Sequence, residues 1–250
     1  MWYKEFMLNN RLSSCLLRVV TASMVLASTA APARAENGLD REVTRFVNLK
    51  LANGFFDDTM KGASETFLPV LAPIGFAIGL GDRGRKAAIL MSVAGILAFG
   101  DSELLKLAIH RDRPYVVEPD LRIKWKLDTG SSFPSSHTTV AFAVATIIAD
   151  QYPLDWVEAL SYGMASVVGF SRIYLGQHYL TDVIAGAALG YGTAKGVLWL
   201  RDVIGLHDQF SPAPQVGWTS NGTPTIGLSW SFGASQAQHR EFSGWVTAAQ

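Results

Sequence analysis

Three segments of this 250-residue chain carry residue types that handle phosphate when brought together. The first runs from Lys106 to Arg113 and Pro114, the second is Phe133-Pro-Ser-Ser-His137, and the third runs from Ser171-Arg172 through His178 to Asp182. Phosphoryl transfer requires positioning and stabilisation of charge on three oxygens more than it requires covalent help. Lys106, Arg113 and Arg172 supply three cations for those oxygens, two of them planar guanidinium forks. Three cations can stand in for a metal ion, so no cofactor and no metal is implied. His178 and His137 supply two imidazoles able to act as nucleophile, acid or base.

Each segment has a bland reading taken alone. Lys106 and Arg113 lie seven residues apart, so on one helix they share a face, and Pro114 disfavours helix at Arg113. A basic helix end is common for dipole reasons alone. Ser135 or Ser136 reads as the cap of a helix starting near His137, and backbone N–H groups at such an end also bind phosphate. His178 and Asp182 fall one turn apart on a helix, where a carboxylate on one ring nitrogen fixes the tautomer and frees the other nitrogen. The alternative is an exposed His–Asp pair. The weight comes from all three segments occurring in order, each at the edge of an apolar run.

Five helix-length apolar segments must position these residues: Thr66–Gly81, Ala87–Ile109, Thr138–Ala149, Val157–Tyr174 and Asp182–Leu200. The expected fold class is all-α, a helical bundle with about five core helices and a short C-terminal β-hairpin-like tail. Residues 36–65 read as a surface helix or two. Uninterrupted stretches such as Thr66–Gly81, Ala87–Gly100 and Val183–Ala194 fall short of the roughly 20 apolar residues of a membrane span. That length argument favours a soluble or peripheral bundle, with an integral membrane protein as the alternative. The small residues Ala185, Gly186, Ala187, Ala188, Gly190 and Gly192 read as close helix packing. In the tail, Asn221-Gly222 signals a hairpin turn, and Ile226, Leu228, Trp230 and Phe232 alternate with small or polar residues as in a strand.

Composition bounds the rest. The chain is 49% hydrophobic and 17% charged, with 21 basic and 21 acidic residues. It has no basic run, which argues against a nucleic-acid partner. Residues 1–35 read as a signal peptide: Lys4, Arg11 and Arg18 lead a short apolar stretch, and Ala33-Arg34-Ala35 is an A-x-A cleavage site. The alternative is an uncleaved anchor. The single cysteine, Cys15, lies in that leader, so disulfide and thiolate chemistry are excluded from the remainder. The expected organisation is a leader at 1–35, a bundle domain at 36–205 and a tail at 206–250.

Lys106-x6-Arg113-Pro114, Pro134-Ser-Ser-His137 and Ser171-Arg172-x5-His178-x3-Asp182 resemble the three signatures of the type 2 phosphatidic acid phosphatase superfamily, over roughly residues 65–200. That superfamily includes bacterial acid phosphatases, lipid phosphate phosphatases and vanadium haloperoxidases. The resemblance implies a metal-independent phosphatase acting on phosphate monoesters or diphosphates, plausibly of lipids, through a phosphohistidine. It implies His178 as nucleophile, Asp182 as its orienting partner and His137 as acid and base. Lys106, Arg113, Arg172, Ser135 and Ser136 would bind phosphate. The implied partners are a phosphorylated small-molecule or lipid substrate and a membrane surface, with export to the cell envelope. Ser136 departs from the pattern, which usually has Gly there; a positive φ at that position would strain a serine. Two alternatives remain: a vanadate-dependent haloperoxidase, and a catalytically silent anion- or lipid-binding protein. His110 and Arg111, beside the first signature, receive no role, and His110, His207 and His239 read as structural or surface residues.

Overall fold

The computed structural model describes residues 38–51, 53–65, 82–123 and 128–203, together with the backbone of 211–218, 224–231 and 241–246. Helix α1 is Gly38–Arg45, followed by a π-helical turn at Phe46–Lys50, helix α2 at 54–65 and helix α3 at Asp82–Ala108. The single turn α4 is Pro114–Val117; then come α5 at Ser136–Gln151, α6 at Asp155–Tyr174 and α7 at Leu180–Val203. Four of the five expected core helices are therefore present as α3, α5, α6 and α7. The fifth, Thr66–Gly81, lies outside the described residues, as do the leader at 1–35 and the Asn221-Gly222 turn.

Helix α5 is the centre of the bundle. One side packs Val140, Ala143, Val144 and Ile147 against Ala94 and Ala98 of α3 and Ala194, Val197 and Leu198 of α7. Another side sets Ala141 and Ala145 against Ala165 and Val168 of α6. Small residues dominate these seams, so the helix axes approach closely. At Gly190 an added Cβ would come within 2.0 Å of the Thr139 carbonyl oxygen, and at Gly186 within 2.8 Å of the Ser135 oxygen. The close-packing reading of this glycine-rich helix holds at those two positions; Gly192 faces open space.

Many of the large apolar side chains point outward. Ile96, Leu97, Phe99, Leu104 and Leu107 on α3, Trp156, Leu160 and Met164 on α6, and Ile184 on α7 are exposed. Meanwhile Ser135, Thr138, Thr139, Thr146 and Ser171 are buried. Helix α3 has 27 residues and α7 has 24, and 26 and 24 of these, at mean hydropathy 1.6 and 1.3, are long and apolar enough to cross a membrane. At 1.5 Å per residue both exceed the ~30 Å of a hydrocarbon core. The sequence segmentation stopped each apolar run at its first charged residue. In the helix the ladder continues through Asp101, whose carboxylate accepts a hydrogen bond from Thr193 of α7 at 2.7 Å.

Residues 36–65 are not simply a surface layer. Asp40, Thr44 and Asn48 are buried on one side of α1 and the π-helical turn, while Leu39 and Phe46 are exposed. Asn48 exchanges hydrogen bonds with the Arg122 backbone and donates to the Tyr174 carbonyl at 2.8 Å. Arg41 and Arg45 pair with Glu118, and Arg45 also pairs with Asp120. The N-terminal segment is thereby tied to the loop after α4 and to the end of α6.

The tail backbone forms three antiparallel strands, β1 at Ser211–Trp218, β2 at Pro224–Ser231 and β3 at Glu241–Val246, in the order β1-β2-β3. Val216 pairs with Ile226 and Leu228 with Gly244. The expected hairpin is thus extended by a third strand.

Candidate active site

The site residues come from helix ends that meet at one end of the bundle: the C-termini of α3 and α6 and the N-termini of α5 and α7. Lys106 sits in the last turn of α3. Arg113 does not share its helix face, because α3 ends at Ala108 and Arg113 is extended, with φ −79° and ψ 153°. That conformation is the one imposed on a residue preceding proline. Arg113 is held by Gly130 O at 3.2 Å and Gln177 O at 3.3 Å.

Local turn chemistry explains the Arg-x5-His spacing. Helix α6 ends in a Schellman turn, with the Gly176 N–H donating to Ile173 O at 2.9 Å and the Gln177 N–H to Arg172 O at 3.0 Å. Gly176 has φ 71°, the left-handed conformation that glycine adopts without a Cβ penalty. The chain reverses within this turn, bringing His178 back beside the helix end that carries Arg172. His178 precedes α7 and is not part of it.

His178 is almost fully buried, and its Nδ1 lies 2.6 Å from the Ser132 carbonyl oxygen. A carbonyl only accepts, so Nδ1 carries the proton and Nε2 keeps its lone pair. Nε2 faces the Arg113 guanidinium at 3.4 Å. Burial, followed by the positive fields of Arg172, Arg113 and Lys106, holds the imidazole well below its ordinary pKa. The ring is therefore a neutral base aimed at a cluster of cations.

The expected Asp182 contact differs in detail. Asp182 Oδ2 stands 3.6 Å from His178 Nδ1, an ion-pair distance longer than a hydrogen bond. Oδ2 instead accepts the Tyr179 N–H at 2.8 Å, and Oδ1 accepts Arg111 at 2.6 Å. The first of these is the backward half of a capping box, because Asp182 is the third residue of α7. The tautomer-fixing contact within hydrogen-bond reach is the Ser132 carbonyl. No side-chain pattern marks a backbone carbonyl, so sequence reasoning had no signal for it.

Arg172 is buried, donating to Ser64 Oγ at 2.6 Å and to Asp128 Oδ2 at 2.9 Å. Asp128 also lies 3.5 Å from Arg113, so one carboxylate sits between the two guanidiniums expected to hold phosphate. Lys106 pairs with Glu103 Oε1 at 2.7 Å and donates to Ser136 Oγ, which in turn donates to Glu103 at 2.9 Å. Ser136 opens α5, and no described non-glycine residue has a positive φ, so serine is unstrained there. Its hydroxyl links Lys106 to Glu103, a contact glycine cannot make.

Ser135 precedes α5 but makes no side-chain cap. Its N–H donates to the Asp182 carbonyl at 3.1 Å, and its hydroxyl accepts from Thr138 at 3.0 Å. It acts as a joint between α5 and α7. The N–H groups left for an anion are those of the first turn, beginning with Ser136 and His137. His137 lies in that turn, half-buried, and burial followed by the positive field of Arg172 lowers its pKa to about 4. His110 is exposed. Arg111, given no role from sequence, is buried and bridges Asp40 and Asp182. His207 and His239 lie outside the described residues.

Comparison with known proteins places the site in a family. The PAP2 superfamily model matches residues 86–204. A lipid A 1-phosphatase of Porphyromonas gingivalis is 38% identical over 76 residues, 30% of this chain; the match spans only 17% of that protein. An undecaprenyl-diphosphatase of Sulfolobus acidocaldarius is 30% identical over 158 residues, 61% of this chain and 74% of the relative. The crystal structure of a transmembrane PAP2-type phosphatidylglycerolphosphate phosphatase from Bacillus subtilis superposes with a TM-score of 0.58 at 24% identity, over 75% of this chain and 96% of that one, a likeness of fold. With the three signatures gathered at one end of the matched helices, the chain belongs to the PAP2 superfamily.

Proposed function

We propose that this chain is a phosphatase that hydrolyses phosphate monoesters or diphosphates of membrane lipids without a metal, through a phosphohistidine. The observation that carries the reading is His178: Nδ1–H is held by Ser132 O at 2.6 Å, leaving the Nε2 lone pair toward Arg113 within a cluster of three cations. In the first step Nε2 attacks phosphorus and the bond to the leaving oxygen breaks. Lys106, Arg113 and Arg172 stabilise the equatorial oxygens, and His137, which takes up a proton beside the bound phosphate anion, gives that proton to the leaving group. In the second step His137 takes a proton from water, the water oxygen attacks phosphorus, and the P–N bond breaks to release phosphate.

A lipid substrate is supported by the exposed apolar faces of α3, α6 and α7 and by the lipid phosphatases among the relatives. In this reading α3 and α7 span the bilayer, and the site lies at one membrane face. Residues 1–35 form an export leader, the bundle at 36–205 is the catalytic unit, and 206–250 is an appended tail.

The test is phosphate release by the full chain in detergent micelles containing phosphatidate, an isoprenoid diphosphate or a soluble aryl phosphate. Turnover abolished by His178→Ala, with loss of an acid-labile phosphoenzyme, is expected. His137→Ala should slow turnover and let phosphoenzyme accumulate when the leaving group is good. Turnover that survives His178→Ala would remove the nucleophile assignment, and inhibition by a chelator would point to a metal.

A further inference from the structure

Helix α1 reaches the site through a buried chain of charges. Asp40 of α1 is 1% exposed although it precedes the family-matched residues 86–204. Its Oδ1 accepts the Thr181 N–H at 3.0 Å, and its Oδ2 accepts the Thr181 hydroxyl at 2.6 Å and Arg111 at 2.8 Å. Arg111 is buried too. Its other terminal nitrogen donates to Asp182 Oδ1 at 2.6 Å and to Thr181 Oγ1 at 2.8 Å, and its Cζ lies over the Tyr179 ring, 4.3 Å from the centroid. Both oxygens of Asp182 are thus occupied, Oδ1 by Arg111 and Oδ2 by the Tyr179 N–H. The carboxylate has one orientation, with Oδ2 toward His178.

We propose that Asp40 and Arg111 are positioning residues for catalysis: Asp40 orients Arg111 and shares its charge, and Arg111 sets the Asp182 carboxylate beside His178. The inference rests on the phosphohistidine reading. Its electrostatic part follows from counting. Two carboxylates on one guanidinium leave a net negative charge beside His178, which favours the positive ring formed when Nε2 is phosphorylated. Without the Asp40 charge, Arg111 pairs with Asp182 alone and cancels that field. Asp40 touches none of Lys106, Arg113 or Arg172, so its removal should slow the chemical step without weakening phosphate binding.

The experiment measures kcat, KM and phosphoenzyme formation for the folded fraction of the full chain in micelles. Asp40→Asn keeps the shape and, through its amide oxygen, the Thr181 N–H contact, but puts an uncharged NH2 group where the carboxylate oxygen meets Arg111. A fall in kcat of roughly 10- to 100-fold with KM nearly unchanged is expected. Arg111→Lys should do the same, and the double variant should be little worse than either single one. Should Asp40→Asn not fold, Thr181→Val decides, because it removes the hydroxyl shared by Asp40 and Arg111 at constant shape; a smaller fall in kcat alone is expected. Unchanged kcat in the folded variants, or effects of Asp40→Asn and Arg111→Lys that simply multiply, would overturn the proposal while leaving the phosphatase reading intact. A wild-type chain without turnover on every substrate would defeat the phosphatase reading itself, and this inference with it.

Discussion

The Nδ1 of His178 lies 2.6 Å from the carbonyl oxygen of Ser132. The segment carrying that carbonyl is pinned in register. The Ser132 N–H donates to Arg111 O at 2.8 Å, its hydroxyl to Asp112 O at 3.1 Å, and Ser131 Oγ to Ile109 O at 3.0 Å. The imidazole is therefore oriented by a backbone carbonyl whose segment is held by one backbone pair and two serine hydroxyls, none of which involves Asp182.

Because the Ser132 carbonyl holds Nδ1 without Asp182, Asp182→Asn should not abolish the proposed turnover. Ser132 keeps the tautomer, while the negative field beside the ring is lost. The expected result is a kcat reduced by about 10- to 100-fold, against complete loss for His178→Ala. Rapid-quench measurement of phosphoenzyme formation would check it, and loss as severe as that of His178→Ala would mean that Asp182 alone sets the tautomer.

The pH dependence follows from the depressed pKa of His178. With His178 neutral as the proposed nucleophile, turnover limited by its protonation should persist well below the ordinary histidine value of 6.5 and decline only in acid. The stability sign is the same. The unfolded chain takes up a proton near pH ~6.5 that the folded chain refuses. This contribution to stability is present above about pH 6.5 and is lost as the pH falls toward the folded-state pKa. A pH profile of kcat/KM beside thermal unfolding at the same pH values would test both. An acid limb centred at or above the ordinary value would contradict the buried, cation-flanked ring.

Asp128 occupies the position between the guanidiniums of Arg172 and Arg113, at 2.9 and 3.5 Å, while remaining 39% exposed. A partly solvated carboxylate there competes with the anion the arginines would hold. Asp128→Asn should tighten competitive inhibition by inorganic phosphate several-fold. Weaker inhibition would show instead that Asp128 organises the arginines.

Gly190 meets the Thr139 carbonyl so closely that a methyl group cannot enter without separating α7 from α5. Gly190→Ala should cost about 1–3 kcal/mol. It should also lower activity, because the same helices carry Ser135 and Asp182, joined at 3.1 Å. Unfolding and kcat in one detergent would measure this, with Gly192→Ala, which meets no neighbour and should stabilise the helix slightly, as the comparison.

The sequence by itself determined the helical class, four of the described core helices and the set Lys106, Arg113, Ser135, Ser136, His137, Arg172, His178 and Asp182. These are local properties: apolar runs mark helices, and residues near a helix end inherit their placement from the turn beside them, as His178 does from Gly176. The tertiary structure decided which partner each group takes. Ser132 on His178, Asp128 between the arginines, and Asp40 and Arg111 behind Asp182 all arise from segments distant in the chain. Their sequence neighbourhoods have no periodicity that announces the contact. The same holds for the way the helices face. The runs in α3 and α7 looked too short to span a bilayer because charges interrupt them, yet the backbone ladder continues past a charge that finds a partner, as Asp101 does in Thr193. Which side of α7 meets α5 was settled by close approach at Gly186 and Gly190, which only a residue without a Cβ allows, while a large apolar side chain such as Ile184 stays outside.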